Sequence, residues 1–148
     1  MNTESKTTEK TIDTLNSLLR GEISAVETYD QAINKVDSSG GAAGLLQRCR
    51  QSHDMRASRL REAVVARGGH PAEGSGAWGA FAKLMEGGAT VLGVDSAVSL
   101  LEEGEDHGLK EYRTSLKTLD AEGQALVAEE LLPEQTHTHE VLRLLKHA

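Results

Sequence analysis

The sequence predicts an all-α chain folded as a four-helix bundle, two antiparallel helical hairpins joined by a long crossover that contains a short helix. Three observations predict it. Apolar residues recur every three or four positions along four separate stretches, and strand-like alternation occurs nowhere. The links between the first and second and between the third and fourth stretches are short, whereas roughly 26 glycine-rich residues, Gly68 to Gly93, separate the second from the third. Hydrophobic residues make up 38% of the chain and aromatic residues only 3%, so the core has to be built from Leu, Val and Ala between helices.

Residues 1–10 are polar and read as a disordered tail ahead of one domain spanning 11–148. The first helix is expected from about Thr11 to Val36, with an inward stripe of Leu15, Leu18, Glu22, Val26, Tyr29, Ile33 and Val36. Asp37-Ser38-Ser39-Gly40-Gly41 ends it. The second is expected from about Ala42 to Arg67, with Leu46, Cys49, His53, Ala57, Leu60 and Val64 inward, stopped by Gly68-Gly69 and Pro71. Within the crossover, Trp78, Phe81, Leu84 and Met85 mark one short amphipathic piece, expected as a plug on the bundle or a dimer contact. Asp95 is the expected N-cap of the third helix, which runs to about Leu119 with Val98, Leu101, Glu105, Leu109, Tyr112 and Leu116 inward. Asp120 is the expected N-cap of the fourth, and Pro133 should kink that helix or loosen one turn. A 26-residue crossover can span on the order of 40 Å, enough to bring the third helix in parallel to the second.

Composition excludes several classes of function. The 148 residues suit one domain. A formal charge of -7 disfavours nucleic acid and anionic membrane surfaces as partners. The single cysteine, Cys49, rules out an intramolecular disulfide and makes the cytoplasm the default location. No segment is apolar for long enough to span a bilayer. A homodimer is the expected assembly, and no small-molecule substrate is indicated.

The candidate site comes from polar residues standing where a helix should be apolar. Glu22 and Glu105 both sit on inward stripes, and burying an ionised carboxylate is costly unless it is paired or bound to a metal. The two segments match without a gap, Gly21-Glu22-x6-Tyr29 with Gly104-Glu105-x6-Tyr112. On the partner helices Gln51-Ser52-His53 aligns with Gln135-Thr136-His137, and Arg59-Leu60 with Arg143-Leu144. Each half therefore offers one Glu and one His toward a shared axis, and Glu134, three residues before His137, adds a Glu-x-x-His. Glu22, His53, Glu105, Glu134 and His137 are the candidate ligands. Mixed oxygen and nitrogen donors of this kind suit iron, or manganese or zinc.

With those residues in view, the chain from about Thr11 onward resembles the ferritin-like four-helix-bundle superfamily, in particular its small bacterial family known only as a domain of unknown function. The resemblance rests on Glu22-x6-Tyr29, the Leu-Glu-Glu-x-Glu-Asp run from Leu101 to Asp106 with Tyr112, and Gly68-Gly69-His70-Pro71. It implies that Glu22 and Glu105 are metal ligands with Tyr29 and Tyr112 beside them, and that Glu134 and His137 are the superfamily's Glu-x-x-His. The chain departs from the pattern at Arg50, three residues before His53, where the superfamily would have a second Glu. A guanidinium cannot ligate a metal. Two readings stay open: iron, manganese or zinc bound at the bundle centre, or a metal-free bundle in which Glu, His, Arg50 and Tyr hydroxyls form a buried network that sets helix register, the protein acting through self-association or partner binding in a stress-related role.

Overall fold

The computed structural model describes residues 3–36, 40–74 and 94–147. Its helices are α1 (Thr3–Lys35), α2 (Gly41–Ala66), α3 (Val94–Ser115) and α4, the last in three consecutive pieces: Ala121–Leu126, a π-helical turn Val127–Leu131, and Leu132–Lys146. No strand occurs among the described residues. The crossover piece carrying Trp78, Phe81, Leu84 and Met85 lies outside them.

Pairings along the helices fix their directions. From Thr14 to Tyr29 along α1, the partners descend from Thr118, just past the end of α3, to Glu105 within it, so α1 and α3 are antiparallel. From Ser52 to Arg59 along α2, the partners on α4 descend from Glu134 to Glu130, so these two are antiparallel as well. With α1 against α2 and α3 against α4 in hairpins, α2 and α3 run the same way, as a long crossover requires.

Two ends differ from expectation. The first helix reaches back to Thr3, through most of the stretch for which the sequence predicts a disordered tail. Once the packed part of α1 is formed, each residue added ahead of it gains a backbone bond without a new nucleation cost. Thr7 and Thr8 also donate to the carbonyls of Thr3 and Glu4 at 2.9 and 3.0 Å. At α3, Asp95 falls inside the helix rather than at its cap, and the helix closes at Ser115, four residues before Leu119.

The other punctuation acts as its chemistry dictates. Asp120 caps α4, accepting from the Gly123 N–H at 2.7 Å. At the end of α2, Gly68 takes φ 78, the left-handed conformation that glycine adopts without penalty. Gly68 and Gly69 then return N–H bonds to Val65 and Val64 at 2.9 and 3.0 Å, a Schellman closure. Pro133 is one residue past the start of the last helical piece, directly behind the π turn, where the Leu132 N–H bonds five residues back to the Val127 carbonyl. Loosening near Pro133 is thus taken up as one wide turn.

That turn decides which face of α4 looks inward. At 3.6 residues per turn, eleven residues make about three turns, so an uninterrupted helix would set Glu134 in line with buried Gly123, and His137 one turn further along. The π turn absorbs one extra residue. The buried line therefore runs Gly123, Val127, Leu131, Gln135, Thr138, Leu142.

The apolar core is in two parts. One gathers Ala25, Tyr29, Leu46, Cys49, Leu101 and Leu142, the other Leu15, Leu19, Leu60, Tyr112 and Leu131. Between them along all four helices lies a layer of buried polar side chains: Glu22, His53, Arg56, Glu105, Gln135 and Thr138.

Asp120 tests the hinge between the hairpin helices. It accepts from Arg67 through both oxygens, at 2.9 and 3.0 Å, and those hydrogen bonds hold its carboxyl below the usual range. Asp120→Ala should cost about 1–2 kcal/mol at neutral pH. Because the folded pKa is the lower one, this contribution is present above about pH 4 and lost as pH falls through the folded value. In urea titrations the wild-type-to-variant gap should narrow toward pH 2; a gap of constant size would exclude the Arg67 pair as its source.

Candidate functional site

Glu105 is the hub of the polar layer. Its Oε1 accepts from the Tyr29 hydroxyl and from His53 Nε2, both at 2.6 Å. Its Oε2 accepts from Gln135 Nε2 at 2.9 Å and from the Thr138 hydroxyl at 2.7 Å. Four donors on two oxygens use all the acceptor capacity of a carboxylate. Burial raises its pKa, but His53 and then Arg56 outweigh that, so Glu105 titrates below its ordinary value and stays ionised.

His53 bridges the two acids. Nδ1 stands 3.0 Å from Glu22 Oε2, and Nε2 faces Glu105. A carboxylate only accepts, so both ring nitrogens donate and the ring is an imidazolium. Burial and Arg56 oppose that charge, and Glu105 and Glu22 overcome them, raising the pKa.

Arg56 supplies the second cation. It is completely buried, the largest such side chain among the described residues. Nε lies 3.4 Å from Glu22 Oε2 and donates to the Ser52 carbonyl at 3.3 Å. Nη1 donates to Gln135 Oε1, and Nη2 to the Thr138 hydroxyl at 3.2 Å. Gln135 is thereby oriented with its oxygen on the guanidinium and its amide on Glu105, where it also reaches the backbone carbonyl at 2.8 Å. Two carboxylates and two cations leave the layer neutral.

The tyrosines cross between halves. Tyr29 serves Glu105 rather than its own Glu22, and the Tyr112 hydroxyl lies beside Glu22 without a hydrogen bond of good geometry. Burial, reinforced by Glu105 for Tyr29 and by Glu22 for Tyr112, holds both phenols well above their ordinary pKa. The same burial pushes the Cys49 thiol up to about 12, leaving it protonated.

Of the five candidate ligands, the structure brings together Glu22, His53 and Glu105. It does not bring Glu134 or His137 to them. Glu134 is half-buried and accepts from the Ser52 hydroxyl at 2.8 Å, and His137 is exposed. The π turn is the reason, since it carries both off the inward face and turns Gln135 and Thr138 onto it. It also undoes the match of His53 with His137: by position His53 corresponds to Gln135, Arg56 to Thr138 and Leu60 to Leu142. Arg50 is likewise elsewhere, pairing at the surface with Asp30 at 2.5 Å. Glu130, on the turn before Glu134, is engaged by Arg59 at 2.6 Å.

Arg56 was detectable, standing three residues past His53 and four before Leu60, both on the buried stripe. Gly108 carried a subtler signal. A Cβ there would come within 2.7 Å of Gln135 Nε2, so any larger residue would push the amide from its place against α3.

A di-metal carboxylate centre in a bundle takes one Glu from each of two helices and Glu-x-x-His from each of the other two. The equivalent inward positions here hold Glu22, Glu105, His53-x-x-Arg56 and Gln135-x-x-Thr138. Two carboxylates of four remain, one has its lone pairs filled, and a fixed cation stands among them. These residues do not fit a di-metal centre. Nor, among the described residues, is any group of three or more His, Cys, Asp or Glu side chains arranged to hold a metal ion.

Residues 10–118 match the family model described as a domain of unknown function, DUF2383. No curated protein matches the chain. A crystal structure described as that of "ferritin like, diiron-carboxylate proteins" from Bacillus anthracis str. Ames matches over 99% of both chains with a TM-score of 0.69 at 19% identity. At that identity the likeness establishes the fold, which is ferritin-like.

Two experiments test the network. Arg56→Met leaves Glu22 without its guanidinium and should cost about 3–5 kcal/mol, whereas Arg56→Met with Glu22→Gln should cost clearly less than the sum of the two single changes. Additive losses in a denaturation cycle would show that the pair is not coupled. Gly108→Ala should destabilise the protein even though Ala is favoured over Gly in a helix by about 1 kcal/mol. A more stable variant would mean that the Gln135 contact contributes little.

Proposed function

The chain belongs to the DUF2383 family and has the ferritin-like fold, and from that premise we propose that it is a non-catalytic helical bundle in which a buried ion network takes the place of a metal centre. The observation that carries this reading is the fully buried Arg56 guanidinium, bonded to Gln135 and Thr138 and paired with Glu22. A side chain with a permanent charge and no acceptor at the bundle centre supports charge compensation from within the protein. The saturated Glu105 carboxylate supports it too.

On this reading the acids, His53 and the two tyrosines hold four helices in one register, and the protein acts through its outer surface, as a homodimer in the first instance. Met55 and Val65 on α2 and Leu144 on α4, each more than half exposed, support an association role. No helix among the described residues is long and apolar enough to cross a membrane.

The second reading, iron at the centre, draws on the diiron-carboxylate description of the Bacillus anthracis protein and on the retained Glu22 and Glu105. Metal analysis separates the two. Protein purified from iron-supplemented growth should hold less than ~0.1 equivalent of iron, manganese or zinc, with a Tm that does not move when ferrous ion is added, since anything that binds the folded state raises it. Stoichiometric metal with a raised Tm would establish the second reading instead.

A further inference from the structure

Four oxygens surround the Arg56 side chain: Glu22 Oε2 from α1, the Ser52 carbonyl from α2, and Gln135 Oε1 and Thr138 Oγ1 from α4. Carboxylate, carbonyl, amide and hydroxyl oxygens converging from three helices are the donor set of a hard divalent cation such as Mn2+. Glu105 sits just beyond, bonded to the same Gln135 and Thr138. Arg56 is also the second member of the inward i, i+3 pair on α2, as Thr138 is on α4.

We infer that Arg56 is a built-in counter-cation occupying a latent divalent-metal site, and that its guanidinium is what excludes metal from that site. The inference rests on the metal-free reading above and adds the residue responsible. Geometry supplies the reason. The guanidinium makes an ion pair and hydrogen bonds that fix the very oxygens a metal would need, with the Gln135 amide turned so that its oxygen points inward to the cation. With Arg56 gone, Glu22 keeps His53, and Gln135 and Thr138 keep Glu105, but each has an oxygen relieved of the guanidinium and facing a common space of its size, in a layer left with net negative charge. A divalent ion is the partner such a cage takes, and a positively charged neighbour a few ångströms away is what forbids it otherwise.

The test compares Mn2+ binding, read from loss of the free-ion electron paramagnetic resonance signal, across four proteins: wild type, Gln135→Glu, Arg56→Lys, and the double variant Arg56→Ala with Gln135→Glu. The double variant should bind one Mn2+ roughly 100-fold or more tightly than the other three, and added Mn2+ should raise its Tm alone. Millimolar guanidinium should compete with the metal for the vacated cage in the double variant. Equal affinity in Gln135→Glu, which keeps Arg56, would overturn the inference, as would a folded double variant that binds no better than wild type. If the double variant is unfolded without metal, folding on addition of Mn2+ supports the inference, and failure to fold at any Mn2+ concentration while Arg56→Lys folds overturns it. Metal bound tightly by the wild type would instead defeat the metal-free reading itself, so the two failures are distinct.

Discussion

The buried Arg56 guanidinium, clamped between Glu22 on α1 and the Gln135–Thr138 pair on α4, is the constraint around which the rest of the bundle is arranged. A desolvated permanent charge is tolerated only where its partners are held in place. Those partners in turn dictate their own surroundings: the Gln135 amide lies where a Cβ on residue 108 would press on it, and Glu105 takes four donors from three helices to complete its shell. Sliding α4 by one turn would strand Glu105 and Arg56 together. The network contributes uniqueness more than net stability, because apolar contacts above and below it would tolerate several registers and the polar layer tolerates one.

The layer also explains how a chain with so few aromatic residues is assembled. Two modest leucine-rich clusters, one at each end, need not interlock with each other, because directional hydrogen bonds between them set the alignment. The tyrosines take part in both roles. Each ring packs into one apolar cluster with its hydroxyl near the glutamate of the other half, and the Tyr29–Glu105 hydrogen bond ties the two hairpins across their interface at the level where the core is polar. The pseudo-symmetry is real for α1 and α3, but it is unequal in chemistry on α2 and α4, where two cations face an amide and a hydroxyl.

Much of this was legible in the sequence. The stripes of α1, α2 and α3, Glu22, His53 and Glu105 as their buried polar members, the Asp120 cap and the parallel arrangement of α2 and α3 all follow from 3.6-residue periodicity and from turn chemistry. What escaped has two physical causes. Helical periodicity cannot locate a π turn, and beyond Leu131 every inward assignment on α4 was therefore one residue out. And arginine is so rarely buried that an inward stripe drawn through apolar and weakly polar residues passes over Arg56, although it lies on that face. The long reach of Arg and Gln side chains then makes contacts between helices that no spacing rule lists.

The π turn at Val127–Leu131 has a genetic consequence. A change of three nucleotides, loss of one codon among the exposed Ala128, Glu129 and Glu130, would remove the extra residue and straighten α4 while leaving Gln135 and Thr138 inward. Straightened at its full length, the same helix would instead turn Glu134 and His137 inward, a glutamate and a histidine in place of a glutamine and a threonine without a single substitution. The residues that line the bundle centre are thus set by the winding and length of α4 as well as by their identity, a variable that comparisons counting substitutions alone would pass over when tracing how such bundles gain or lose a metal.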